Sequence, residues 1–483
     1  MNADANHPLP ESPQRPGLLI PLVVAIAFLM EQLDATIVTT AIPDMARSLH
    51  ATVVQMSLAV SAYVLALAVF IPLSGWFADR FGARRVFAVA LAVFTVGSAL
   101  CGIAESFVML VATRILQGLG GAMMTPVGRL ILLRSFPRNQ LVRAMTYTTL
   151  PAIAGPVIGP LLGGYLTTYL SWRWIFYINL PFGLIGIALA LRLIAPMRAE
   201  TVPPFDMAGF ALFCAGIGLL QFAMEGIGRM PGFVPASAVA VAILLLVGFV
   251  RRSGGRPQPA IDLRLLRERT FGVATLAGGL CRVAMNAPVY LLPLLLQLGL
   301  GMSPAESGSL TFLSALAAPL VRVTIAPALR RIGFRGLLIG SALACAGVLA
   351  AFARIGPGTP HVAIATGIIL FGLVRSTQFM TSNTLAYAEI DPDRLSRATS
   401  LGGLIQQLTV SFGVSVGAAL LGLLTPARST PTAATFHTVF FLIAVLPILA
   451  LPAFTRLRPS DGVEVSGHAA TRIRPPGAEH GRG

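Results

Sequence analysis

Fourteen apolar stretches of membrane-spanning length run through this 483-residue chain. They lie at about 18–42, 55–77, 85–104, 107–131, 141–167, 172–194, 205–226, 233–250, 270–297, 305–328, 336–353, 361–384, 398–424 and 436–455. Each is near the roughly 20 residues that a helix needs to cross a hydrocarbon core of about 30 Å. Inside lipid a segment must satisfy its own N–H and C=O groups, so spans of this kind are helices. The expected class is an all-α polytopic membrane protein. A composition of 55% hydrophobic and 11% charged residues leaves little room for a separate soluble domain.

The basic residues, all arginine, sort onto alternate loops. With both termini on one face, the even loops, the tails and the span ends beside them hold 25 of the 35. These include Arg80, Arg84, Arg85, Arg251, Arg252, Arg256, Arg264, Arg330, Arg331 and Arg335. The odd loops hold five, namely Arg47, Arg173, Arg229, Arg354 and Arg428, and five more lie within spans. This asymmetry predicts cytoplasmic termini in a cell inner membrane and supports an even number of helices, because one missed span would invert every later loop. The net charge of +16 is spread over those loops, which suits anionic lipid head groups rather than nucleic acid. The start lacks the basic region of a cleavable signal peptide. Cys101, Cys214, Cys281 and Cys345 all fall in spans without metal-ligand spacing and read as small core residues.

Two breaks divide the chain. The Arg-, Pro- and Gly-rich loop at about 251–269 separates eight spans from six, and a shorter Pro-rich break lies near 196–204. The expected organisation is a tail at 1–17, a six-helix bundle at 18–195, an inserted pair at 205–250, the loop at 251–269, a second bundle at 270–455 and a disordered tail at 456–483. An internal repeat supports two related halves. Gly75 to Arg85 reads GWFADRFGARR and Ala326 to Gly336 reads APALRRIGFRG, so Gly82 aligns with Gly333 and Arg80 with Arg331, while Arg330 replaces Asp79. Parallel six-helix halves place a substrate cavity between them at mid-depth.

Several stretches resemble the motifs of the major facilitator superfamily, and in particular its fourteen-helix drug:proton antiporters. LDATIVTTAIP at 33–43 carries the first-helix acid, here Asp34. GWFADRFGARR is similar to the cytoplasmic-gate motif, with Gly75, Asp79, Arg80, Gly82 and Arg84 in place. LVATRILQGLGGA at 110–122 resembles the fourth-helix motif whose arginine, here Arg114, is associated with proton coupling. GPVIGPLLGG at 155–164 resembles the fifth-helix antiporter signature, and WRWIFYINLPFG at 172–183 the sixth-helix opening of the fourteen-helix group. The resemblance covers nearly the whole chain. It implies the major facilitator fold, with two six-helix bundles plus two inserted helices, and alternating access driven by the proton motive force without a cofactor.

Each motif also has a reading from its own chemistry. Charged side chains in lipid are costly and normally face a polar interior with partners. Asp34 and Arg114 sit at matched depth, roughly 10–12 Å from the same face at 1.5 Å per residue, and are placed to pair. Such a pair either locks two helices or serves as the proton-coupling element. Glu31, one turn before Asp34, shares its helix face and is either a neutral packing acid or a proton or cation site. Gly155, Gly159 and Gly163 form a bare stripe for close helix packing, with Pro160 and Gly164 beside it. Asp79 and its arginines stand at a helix junction where an acid can cap a terminus and arginines can bind across the halves. In the second half Arg282, Asn286, Arg375, Gln378, Asn383 and Gln406 together imply a polar cavity for anionic or zwitterionic groups.

The chain carries no P-loop and no HExxH, so neither ATP-driven transport nor metalloenzyme chemistry is expected. The sequence reading is a proton-coupled secondary exporter of small amphipathic compounds, not an enzyme, functional as a monomer. It leaves room for a periplasmic adaptor and an outer-membrane channel. Two alternatives stay open: a dedicated exporter of a metabolite, siderophore or sugar, and a membrane scaffold or sensor that has lost coupling.

Overall fold

The computed structural model describes residues 19–136, 138–198, 202, 205–254, 261–391, 394–426, 429–466 and 468. The tail at 1–17, Arg256 in the long loop, Arg428 and the last residues of the chain lie outside the described residues.

The first half comprises α1 (Leu19–Ile37), a short α2 (Ile42–Ser48), α3 (Val53–Phe81), α4 (Ala83–Gly102), α5 (Phe107–Ser135), α6 (Arg138–Tyr169), α7 (Trp174–Tyr177) and α8 (Asn179–Leu193). Two further helices follow, α9 (Met207–Gly226) and α10 (Phe233–Gly254), at the place where the sequence leads one to expect an inserted pair. The second half holds α11 (Arg269–Leu294), α12 (Pro304–Phe352), α13 (His361–Tyr387), α14 (Leu395–Leu424), α15 (Ala433–Ile443) and α16 (Val445–Phe454), with a last turn, α17 (Val463–Ser466). Among the described residues there is no strand.

Local sequence fixes the element ends. Thr52 and Gln55 form a capping box at the start of α3, and Ser303 and Glu306 another at the start of α12. Gly82, at φ +91°, ends α3 and lets α4 begin at once, with the Ala83 N–H donating to the Met197 carbonyl at 2.9 Å. Gly333, at φ +72°, breaks the 49-residue α12 at the corresponding place in the second half. The repeat read from sequence thus recurs in the backbone. A straight helix of 49 residues would be about 74 Å long at 1.5 Å per residue, more than twice a bilayer core.

Twelve of the described helical segments are long and apolar enough to cross a membrane. Two differences separate this number from the fourteen stretches of the sequence. The stretches at 305–328 and 336–353 fall in the single element α12, and the stretch at 141–167, which forms α6, is not among the twelve.

The halves meet at one end of the bundle. There Tyr290 on α11 donates to the Val53 carbonyl at 2.8 Å, Gln297 to the Thr40 carbonyl at 3.0 Å, and Ser411 on α14 to the Ser61 carbonyl at 3.1 Å. The Ala305 N–H donates to Thr168 at 3.0 Å. This end is sealed, and the principal cavity lies on the inner side of the seal, between the halves. At the opposite end, part of the stretch expected to be a disordered tail is packed on the second half. Asp461 holds Arg269, the Gly462 N–H donates to Glu389 at 2.9 Å, and His468 meets the Arg330 carbonyl at 2.8 Å. The cause is local: Asp461 and Gly462 supply an ion-pair partner and a free amide just where the apolar helix has ended.

Candidate functional site

Asp34 and Arg114 are brought together in the interior of the first half, where Asp34 is 0% and Arg114 1% exposed. Arg114 Nη1 lies 2.5 Å from Asp34 Oδ2 and 2.6 Å from Gln117 Oε1. Gln117 Nε2 donates to Asp34 Oδ1 at 2.9 Å and to Ser98 at 2.6 Å, and Asn179 Nδ2 reaches both Ser98 (3.1 Å) and Asp34 Oδ1 (3.4 Å). Arg114 Nε donates to the Ala59 carbonyl at 3.1 Å, and its guanidinium lies 4.1 Å from the centre of the Tyr63 ring. The pair is therefore held by α1, α3, α4, α5 and α8 at once. Two buried atoms of this network, Arg114 Nη2 and Asn179 Oδ1, have no hydrogen-bond partner, and breaking a buried ion pair typically costs about 3–5 kcal/mol.

Glu31 stands in a different environment. It lines the cavity, whereas Asp34 and Arg114 do not. Its Oε2 accepts from Thr125 at 2.5 Å, and its own carbonyl accepts from the Tyr63 hydroxyl at 3.4 Å. Tyr63 thus touches both acids' surroundings: its ring backs Arg114, and its hydroxyl reaches the Glu31 backbone. Glu31 is the acid a ligand in the cavity would meet, and Asp34 is the one sealed behind it.

The cavity has a volume of about 630 Å³. Arg282, Asn286, Arg375, Asn383 and Gln406 line it, together with Arg322, and Phe371, Phe379 and Met380 add an apolar wall. Gln378 is a correction to the sequence reading. It is fully buried away from the cavity, with its Oε1 taken by Ser341 of α12, because its position on α13 turns it into the helix pair. Arg282 is 7% exposed, and its Nε has no partner. The ionisable groups on the wall are Arg282, Arg322, Arg375 and Glu31, so three cations face one acid, a net +2 with Glu31 ionised.

The glycine stripe of α6 fits a close approach to α1. A Cβ on Gly155 would lie 2.7 Å from the Leu33 nitrogen, and on Gly159 or Gly163 it would collide with Thr36 or with Ile37 and Thr40. Gly164 and Pro160 face the other way, against Pro304 and Gly308 of α12 across the seam. At the opposite end of α3, Asp79 pairs with Arg134 at 2.9 Å, within its own half. Gly75 has open space around it, and Arg80 is exposed while Arg84 is half-buried.

Comparison with known proteins agrees with this architecture. The profile of the Major Facilitator Superfamily matches residues 24–414. The chain belongs to that superfamily. It is 36% identical over 446 residues to a Klebsiella pneumoniae protein whose provisional name is multidrug resistance protein MdtD, covering 91% of this chain and 94% of the relative. A Cronobacter sakazakii protein with the same provisional name is 37% identical over 461 residues, covering 94% and 97%. Among solved structures, an auto-inhibited POT family peptide transporter superposes with a TM-score of 0.67 at 17% identity, covering 92% and 98%. The nucleoside transporter NupG superposes at 0.59 with 18% identity, covering 90% and 98%.

As a major facilitator the chain is a multi-pass membrane transporter and not an enzyme. Some of its polar interior was hidden from sequence reading. Gln117 and Asn179 lie inside recognised motifs, but nothing in their spacing marked them as ligands of Asp34. Glu225 was missed outright. It sits at the very end of an apolar stretch, where an acid reads as an interfacial residue, yet it is 6% exposed and fully engaged. The weak signal that pointed to it is its one-turn spacing from Arg229 and Gln221 on an otherwise apolar helix.

Proposed function

We propose that this chain is a proton-coupled exporter of small amphipathic compounds, working by alternating access of its two halves as a single-chain unit in a bacterial inner membrane. The observation that carries the reading is the 630 Å³ cavity between the halves, closed at one end, with Glu31 on its wall and the Asp34–Arg114 pair sealed directly behind. An acid on the wall and an acid in reserve give a proton a place to bind whose occupancy alters the helices around the cavity. The provisional naming of relatives for multidrug resistance supports efflux. The arginine distribution supports fourteen crossings with both termini cytoplasmic. On that orientation the sealed end faces outward and the structure is inward-open, ready to load substrate from the cytoplasm or inner leaflet.

The wall charge selects among substrates. Three arginines against one glutamate favour amphipaths that carry an anionic group, with the apolar body along Phe371, Phe379 and Met380. Inside-out vesicles with an imposed proton gradient test both parts. The expected result is gradient-dependent uptake, greater for carboxylated than for cationic amphipaths of equal size, with proton movement in the opposite direction. Uptake of cations alone would remove the substrate class and leave the exporter. Neither flux nor proton movement with any compound would favour a scaffold or sensor.

A further inference from the structure

The inserted helix pair has a role at the seam. Glu225, near the end of α9, is enclosed by groups from three separate parts of the bundle. Its Oε2 lies 2.8 Å from Ser57 Oγ, and its Oε1 lies 2.9 Å from Ser61 Oγ, both on α3 of the first half. Ser415 on α14 of the second half donates to Oε1 at 2.7 Å. Gln221 adds a contact at 3.4 Å and also joins Ser415 and Ser411, while Arg229 pairs with Oε2 at 3.3 Å and donates to the Val54 carbonyl. One carboxylate from the insertion thus binds both halves at the end where they close.

The contacts around Glu225 carry a mechanical consequence. Every neighbour within reach presents a donor, and a carboxylate with only acceptor sites satisfies them all. The charged or titratable groups facing it are Arg229 from its own chain turn and Tyr290 from α11, whose hydroxyl is already committed to the Val53 carbonyl. The facing side chains of α3 and α14 are serines. Adding a proton cancels the ion pair with Arg229 and removes one of the acceptor sites that Ser57, Ser61, Ser415 and Gln221 share. When the halves part at this end, Ser57 and Ser61 must separate from Ser411 and Ser415, and Glu225 cannot hold both sets.

We propose that Glu225 is a proton-operated clasp: ionised, it ties α3 and α14 together through α9 and keeps this end shut, and protonation from the adjoining aqueous face releases it. The inserted pair is then part of the gate. This goes beyond the exporter reading and depends only on the halves parting, so its failure leaves that reading standing.

The test is a distance measurement between the halves on purified full-length protein in lipid nanodiscs. Spin labels are placed at Glu105→Cys and Arg354→Cys, loops on opposite halves at the sealed end, after the four native cysteines are replaced. The expected result is a short distance at neutral pH that lengthens on acidification. Glu225→Gln should show the longer distance already at neutral pH and lose the pH response. Ser415→Ala, which keeps the acid but removes its anchor on α14, should lengthen the distance at neutral pH and covers the case in which the charge-removing variant does not fold. Distances and pH response in the variants indistinguishable from those of the parent protein would overturn the proposal.

Discussion

Arg114 is the side chain whose loss the interior should tolerate least. It is 1% exposed, and Asp34, Gln117 and the Ala59 carbonyl all depend on its guanidinium. Arg114→Met should destabilise the first half by about 3–5 kcal/mol, because it leaves a buried carboxylate unpaired. Thermal unfolding in detergent measures this, and the double variant with Asp34→Asn should recover much of the loss; an unchanged midpoint in the single variant would mean the pair is not structural. Glu31→Gln should behave differently, since Glu31 touches the cavity. Folding should be preserved while substrate selectivity changes, shifting further toward anionic compounds, and a competition series of anionic and cationic amphipaths reads that shift. Asp34 and Arg114 were legible in the sequence because a charge deep in an apolar span has few explanations. Gln117, Ser98 and Asn179 were not, because amides and hydroxyls are ordinary in helix contacts and only the folded geometry aims them at one carboxylate.

At the scale of elements, the two faces of α6 separate two kinds of packing. Gly159 lies against Thr36 inside the first half, whereas Gly164 lies against Pro304 across the seam, where a Cβ would come to 2.3 Å from the Pro304 carbonyl oxygen. Gly159→Val should therefore lower folded yield. Gly164→Val should fold and resist closure, shifting the protein toward the conformation open at that end. The same Glu105 and Arg354 label pair reads the shift as a longer distance, and an unaltered distribution would contradict the role given to this contact. The stripe was legible as spacing, but which glycine served which partner was not, because three-dimensional neighbours are unspecified by a repeat of four. The turn at Gly333 was legible for a better reason: its alignment with Gly82 required the same left-handed backbone, and both positions adopt it.

For the whole molecule, the arrangement in halves followed from the repeat and the two polar breaks. The clasp at Glu225 did not, since a span boundary gives no hint of which helices will enclose it. Orientation is the property on which the transport direction rests. Single cysteines at Arg251 and at Arg354, in a background free of the native four, should react with an impermeant maleimide only from the cytoplasmic and only from the external side respectively. Labelling of the Arg251 site in intact cells would reverse the direction of export and the count of crossings behind it. The central claim is that a proton and a substrate exchange through the acids beside the cavity. It is tested most directly by substrate-induced proton release from purified protein in weakly buffered solution. The account predicts release of protons by the parent protein when a transported amphipath is added, and loss of most of that release in Asp34→Asn. Full proton release by Asp34→Asn would contradict it.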